Sequence, residues 1–144
     1  MVYTVTEALN QLKKYCAYQE RCQQEIRQKL AKWPLTKEEQ EFVIAELISE
    51  GYLNEERFAR SFARGKFKIK KWGRKKIVYS LRSKGISEYC IRLGLQEISV
   101  SEYEALIRSE IHKYSRKYSK QALMRLLISH GFEPELLVKW ITKD

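Results

Sequence analysis

Ten side chains between positions 57 and 76 are basic, and no acidic residue lies among them: Arg57, Arg60, Arg64, Lys66, Lys68, Lys70, Lys71, Arg74, Lys75 and Lys76. Guanidinium and ammonium groups bind anions, so the chemistry on offer is recognition of phosphate or of an acidic protein surface. Arg57, Arg60 and Arg64 follow helical spacing and share a face. The stretch from Lys66 to Lys76 covers the end of that helix and the turn into the next. A cation near a helix C-terminus contributes ~0.3–1 kcal/mol, but one or two suffice for that. Read from the sequence, ten cations without partners repel one another, which points to an anion supplied from outside. A solvated face is the alternative and would suit scattered lysines; the one-sidedness of this cluster argues against it. Phe67 and Trp72 lie inside the run. Aromatic rings so placed can stack on exposed bases or pack at a helix junction. Phe67 reads as core, and for Trp72 both roles stay open.

Other chemistry leaves little trace. There is no GxxxxGK[ST], GxSxG or HExxH, so the common phosphate-cradling loop, nucleophile elbow and zinc-protease helix are all missing. His112 and His130 are too far apart to form a metal pair on one helix and read as surface or helix-end residues. Cys16, Cys22 and Cys90 make an odd set without CxxC spacing. They read as buried small hydrophobes and free thiols, which fits a reducing cytoplasm better than a disulfide framework. The expectation is a protein that is not an enzyme and needs no metal or cofactor. No run approaches the ~20 apolar residues of a membrane span. Met1 to Glu7 lacks the basic-then-apolar order of a secretion signal. A cytoplasmic location without membrane contact is therefore expected.

The elements that must carry the basic cluster are helical. Only 6 Gly and 2 Pro occur in 144 residues, too few turn-formers for a β-rich fold, while 44% hydrophobic residues can support a core. Thr4-x-x-Glu7, Thr36-x-x-Glu39 and Ser101-x-x-Glu104 have the form of capping boxes, and Asn54 and Ser87 can cap further helices. Gly51, Gly85 and Gly131 are placed to stop helices, and Pro134 suits the first turn of the last one. Apolar stripes follow these starts: Ala8, Leu12 and Cys16; Ile26 and Leu30; Val43, Ile44, Leu47 and Ile48; Phe58 and Phe62; Ile77 and Leu81; Ile91, Leu95 and Ile98; Tyr103 and Ile107; Leu123 and Leu127.

The pattern repeats. Ile77, Leu81, Gly85, Ile91 and Leu95 align with Leu123, Leu127, Gly131, Leu137 and Ile141 at one offset, and Ile26, Leu30, Pro34, Gln40 and Ile44 align at another. Three tandem three-helix repeats follow, at 1–53, 54–98 and 99–144. Units this small bury too little alone and should stack into an elongated, curved all-α body of about nine helices. The net charge of +10 is distributed as −1, +9 and +2 over the three. The second repeat is the basic one.

Gly51-Tyr52-Leu53-Asn54-Glu55-Glu56-Arg57-Phe58-Ala59-Arg60-Ser61-Phe62, continued by Gly73-x-x-Lys76-Ile77-x-x-x-Leu81-x-x-Lys84-Gly85-Ile86, resembles the signature of the RecX family of recombination regulators. Glu25-Ile26-x-x-Lys29-Leu30 is similar to the family's first-repeat motif. The resemblance extends over essentially the whole chain and is most specific at 51–86. Cys22 stands where the family often has a capping serine, and Trp33-Pro34 replaces a usual basic residue and glycine. The resemblance implies a repeat protein that binds RecA filaments and inhibits their ATPase, strand-exchange and co-protease activities, with DNA as a secondary partner. The chain is expected to act as a monomer. The rival expectations are a free-standing nucleic-acid-binding helical protein and a helical scaffold for another acidic protein. Against base readout, no helix pairs a basic flank with the polar pattern that such readout needs.

Overall fold

The computed structural model describes residues 1–141, and among these every regular element is an α-helix. In chain order they are α1 (Val5–Tyr18), α2 (Gln23–Leu30), α3 (Lys37–Ser49), α4 (Glu55–Lys68), α5 (Arg74–Ser83), α6 (Glu88–Leu95), α7 (Val100–Tyr114), α8 (Lys120–Ser129) and α9 (Pro134–Ile141). Side-chain caps set most starts. Thr4, Asn54, Ser87 and Ser119 accept from the backbone N–H three residues on, and Thr36 forms a reciprocal box with Glu39. Pro134 occupies the first position of α9.

One start differs from the expectation. The cap of α7 is Ser99, whose hydroxyl accepts from the Glu102 N–H, and not Ser101. Two overlapping Ser-x-x-Glu frames compete here. The earlier one closes directly behind the buried Ile98 and sets Tyr103, Ile107 and Ile111 on the inner face.

Helix packing follows the triplets. α1 and α2 lie on α3; α4, α5 and α6 pack on one another; so do α7, α8 and α9. The closest crossing is α4 over α6, where a Cβ added to Gly94 would stand 2.7 Å from the Ala59 carbonyl oxygen. The cores are unequal. Ala8, Leu12, Ile26, Leu30, Val43, Ile44, Leu47 and Leu53 form one cluster within the first triplet. The second and third triplets share a single larger one, from Phe58 and Ile77 to Phe132 and Ile141. Ile48, expected on the inner stripe of α3, is 46% exposed, because only three inward positions of that helix meet α1 and α2. The chain exposes 9019 Å², where a compact globule of its mass would expose roughly 7,800 Å². That excess suits a stack of small units.

The second and third triplets interlock through backbone. The Gly73 N–H donates to the His130 carbonyl at 2.8 Å and the Lys75 N–H to the Gly131 carbonyl at 2.9 Å. No side chain fits between: a Cβ on Gly73 would lie 2.3 Å from the Gly131 carbonyl carbon, and one on Gly131, at φ +99°, would lie 2.4 Å from Lys76 Cβ. The first triplet is joined to the second differently. Cys22 inserts into the larger core, the Gln24 amide donates to the Ser83 carbonyl at 3.0 Å, and Arg57 pairs with Glu20 at 2.6 Å.

Gly73→Ala and Gly131→Ala should each destabilise the protein by about 2–3 kcal/mol or more, since backbone cannot yield as a side-chain tip can. Gly65→Ala, mid-helix with nothing within 4 Å of the added carbon, should stabilise by about 0.5–1 kcal/mol. Urea unfolding of the three variants checks both directions.

Candidate anion-binding site

Asn54 starts α4 and the α4–α6 crossing orients it, so Arg57, Arg60 and Arg64 do share a face, as their spacing predicts. That face is not unpartnered. Arg57 Nε donates to Glu20 and its Nη2 to the Gly51 carbonyl at 2.8 Å. Arg60 bonds Glu56 and Glu97, each at 3.0 Å, and Arg64 bonds Glu97 at 2.5 Å. Arg74 lies over the Tyr103 ring at 4.0 Å, with Nε 2.9 Å from Glu133 in an ion-pair contact. The expectation of ten unpaired cations is therefore corrected: four of them, all arginines, are neutralised within the fold. The Glu56 and Glu97 hydrogen bonds raise the Arg60 pKa, and those from Arg64 and then Arg60 lower that of Glu97.

The six lysines of the cluster differ. Lys66, Lys68, Lys70, Lys71, Lys75 and Lys76 make no ion pair among the described residues. Lys68, Lys70, Lys71 and Lys75 are exposed. They occupy the end of α4, the loop behind it and the first turn of α5, where the helix dipole works against a cation. Lys71 has φ +60°, the one non-glycine residue in the left-handed region among those described, a conformation that costs on the order of 1 kcal/mol. The turn closes with the Trp72 N–H donating to the Lys66 carbonyl at 3.1 Å, which leaves Ile69 77% exposed at the tip.

Phe67 is core, 5% exposed and 6.1 Å from the Tyr103 ring. Trp72, open from the sequence, is half-buried edge-on to Phe62, with the Lys66 and Lys76 ammoniums 4.9 and 4.5 Å from its ring centre. Its ring is already engaged by the protein's own cations. Sequence reasoning missed Lys84, which sits outside the run at the end of α5 yet reaches to 5.9 Å from the Phe62 ring. Nothing in its local sequence marks that approach.

Tyr103 ties the basic turn to the third triplet. Its hydroxyl accepts from the Arg74 backbone N–H at 2.9 Å and donates to the Glu133 carboxylate. Burial first, then the Glu133 bond, push its pKa well above the usual tyrosine value. The three cysteines are buried, and desolvation raises the Cys16 thiol to about 11. His112 is exposed, and His130 ends α8 edge-on to Tyr114. Among the described residues no three His, Cys, Asp or Glu side chains gather as a metal site, and no helix is long and apolar enough to cross a membrane.

An all-helical repeat body carrying a lysine-rich turn, whose arginines are consumed internally, defines a class of basic helical-repeat protein. Residues 54–95 match the family model described as RecX, second three-helix domain. A "Regulatory protein RecX" from Lactobacillus johnsonii is 33% identical over 91% of this chain and 51% of its own length. That of Lactobacillus gasseri is 31% identical over 85% and 48%, so the chain spans about half the length of these relatives. The Prosthecochloris aestuarii protein of the same name is 28% identical over 91% of this chain and 89% of its own. Among solved structures, a regulatory protein RecX superimposes with TM-score 0.86 over 97% of this chain and 73% of that one, at 22% identity. RecX from Lactobacillus salivarius gives 0.81 over 96% and 95%, at 20%. The chain belongs to the RecX family.

Tyr103→Phe should cost about 1–3 kcal/mol at neutral pH by unpairing buried partners. The raised tyrosine pKa gives stability that is full below the unfolded value near ~10 and is lost as pH climbs from there through the folded value. The gap between wild type and variant in denaturant unfolding should hence narrow as pH rises above ~10. A constant gap would mean that the hydroxyl proton is not held.

Proposed function

We propose that this protein is a negative regulator of the RecA recombinase, binding the RecA–DNA filament and inhibiting its ATPase, strand-exchange and co-protease activities in the cytoplasmic DNA-damage response. Family membership supports the class. The observation that carries the site is the division of the cations: with the arginines paired internally, the lysines of the α4–α5 turn remain as the charge offered to a partner.

The repeats, taken as 1–53, 54–98 and 99–144, would lie across neighbouring recombinase subunits, with the second against bound DNA or an acidic surface. Several weak contacts made by one chain raise effective concentration without any single strong one. The filament state that presents the better-matched surface is then favoured by the difference in affinity. The chain would act as a monomer, without a catalytic group, metal or cofactor.

The lysine field by itself favours a second reading, a free-standing nucleic-acid-binding helical protein. Titrating the protein into RecA hydrolysing ATP on single-stranded DNA separates the two. The first reading expects inhibition well below one protein per recombinase subunit, at concentrations that leave the DNA uncoated. Inhibition only when the DNA is coated transfers the assignment to the second.

Replacing Lys68, Lys70, Lys71 and Lys75 together by Gln should weaken filament binding and flatten its salt dependence. If phosphates are the anion, the slope of log affinity against log salt should drop by about 0.7–0.9 per lost contact. Arg60→Gln with Arg64→Gln should instead lower thermal stability and leave that slope nearly unchanged.

A further inference from the structure

A cleft of about 410 Å³ runs between the first and second triplets, and Phe58 and Phe62 line it with Gly65, Lys66, Lys70 and Lys84. Phe62 is the half-buried ring on this wall; Phe58, 5.8 Å from it, is buried, and Trp72, outside the lining, packs edge-on to Phe62 at 6.3 Å. Lys66 and Lys84 hold their ammoniums 5.4 and 5.9 Å from the Phe62 ring, and neither they nor Lys70 makes an ion pair among the described residues. On the opposite wall Glu20 pairs through Oε2 with the Arg57 guanidinium while its Oε1 is buried without a partner, and Glu25 accepts from the Cys22 backbone N–H, which brings no countercharge. Three lysines, with Arg57 on Glu20, outweigh the two carboxylates, so the cleft carries a net positive charge beside the half-buried Phe62 ring. Gly65 keeps it open, since nothing lies within 4 Å of a carbon added there.

We infer that this cleft binds single-stranded DNA, with one unstacked base against Phe62 and the flanking phosphates on Lys66, Lys70 and Lys84. Lysines resting on a ring in the free protein exchange that weak contact for phosphate when a strand enters. The base replaces them on the ring face, a pairing that tolerates any sequence. Duplex DNA presents no free base, and an acidic peptide without aromatic residues no flat ring, so charge and aromatic surface together favour the single strand. The inference rests on the proposed function for taking nucleic acid as the anionic partner and deepens it by naming the strand and the contact.

The test is fluorescence anisotropy of a labelled oligothymidine about ten nucleotides long, against an abasic strand of equal length and charge, with no recombinase present. Wild type should prefer the thymidine strand by roughly five-fold or more, the scale of one base–aromatic stack. Phe62→Leu should bring that ratio close to one while leaving abasic binding unchanged. Gly65→Leu, which fills the cleft from a position with room for it, should also bring the ratio close to one, while weakening abasic binding, so the result does not hang on one variant's folding. Equal wild-type affinity for the two strands overturns the inference, as does a preference that survives in both variants. So does competition by polyglutamate as effective on Phe62→Leu as on wild type. A protein that inhibits RecA normally yet ignores the base loses this site and keeps the regulatory role. One that prefers the base but leaves RecA untouched keeps the site and loses the role.

Discussion

The contact on which the rest of the structure depends is made of backbone. At Gly73 and Gly131 two chain segments approach more closely than any side chain allows, and two N–H groups at the start of α5 bond carbonyls at the end of α8. The first turn of a helix ordinarily leaves such donors to water or a cap. Here the neighbouring triplet satisfies them, which fixes the direction of α5 and brings Arg74 over the Tyr103 ring and beside Glu133. Because the junction has no side-chain thickness, one apolar core runs through both triplets, and the lysine turn ahead of α5 inherits a rigid base.

From that frame the electrostatics of the basic cluster divide by residue type. The planar guanidinium makes several directed bonds at once, and the fold uses it for this: Arg57, Arg60, Arg64 and Arg82 each meet a carboxylate, and Arg57 and Arg60 also meet backbone carbonyls. A lysine ammonium is a compact, well-hydrated charge on a flexible stem and loses less when left in water. So within the basic cluster the arginines are tied into the fold, and the lysines supply the external field.

Local features were legible in the sequence. Thr36-x-x-Glu39, Asn54, Ser87 and Pro134 act within one turn of themselves, and the repeat survives low identity because it needs only apolar residues at matching positions. Where two local signals overlapped, as at Ser99 and Ser101, packing of Ile98 and Tyr103 decided between them. Pro34 stands where the other repeats have Gly85 and Gly131, and since proline cannot adopt their positive φ, α2 gives way to a different turn at Ala31. Glu56, four residues before Arg60, is a partner readable from spacing, but the distant partners of the arginines were not legible. Glu20 lies 37 residues from Arg57 and Glu97 lies 33 from Arg64, and nothing near either arginine marks the pairing. Lys84 escaped for the same reason: only the fold returns it to Phe62.

The two junctions differ in kind, and that difference sets how the body deforms. Between the second and third triplets any rotation must break backbone bonds and open a shared core, so they move as one block. Between the first and second, a buried cysteine, the Gln24 amide, and Arg57 with its Glu20 pair and its bonds to the Gly51 and Tyr52 carbonyls stand beside an open cleft, mostly side-chain contacts that can slide or re-form over small angles at little cost. The molecule is therefore a stiff arm with a compliant end, and thermal motion will concentrate at one seam instead of spreading along its length. Such a body can match a helical track of variable pitch by flexing at a single place.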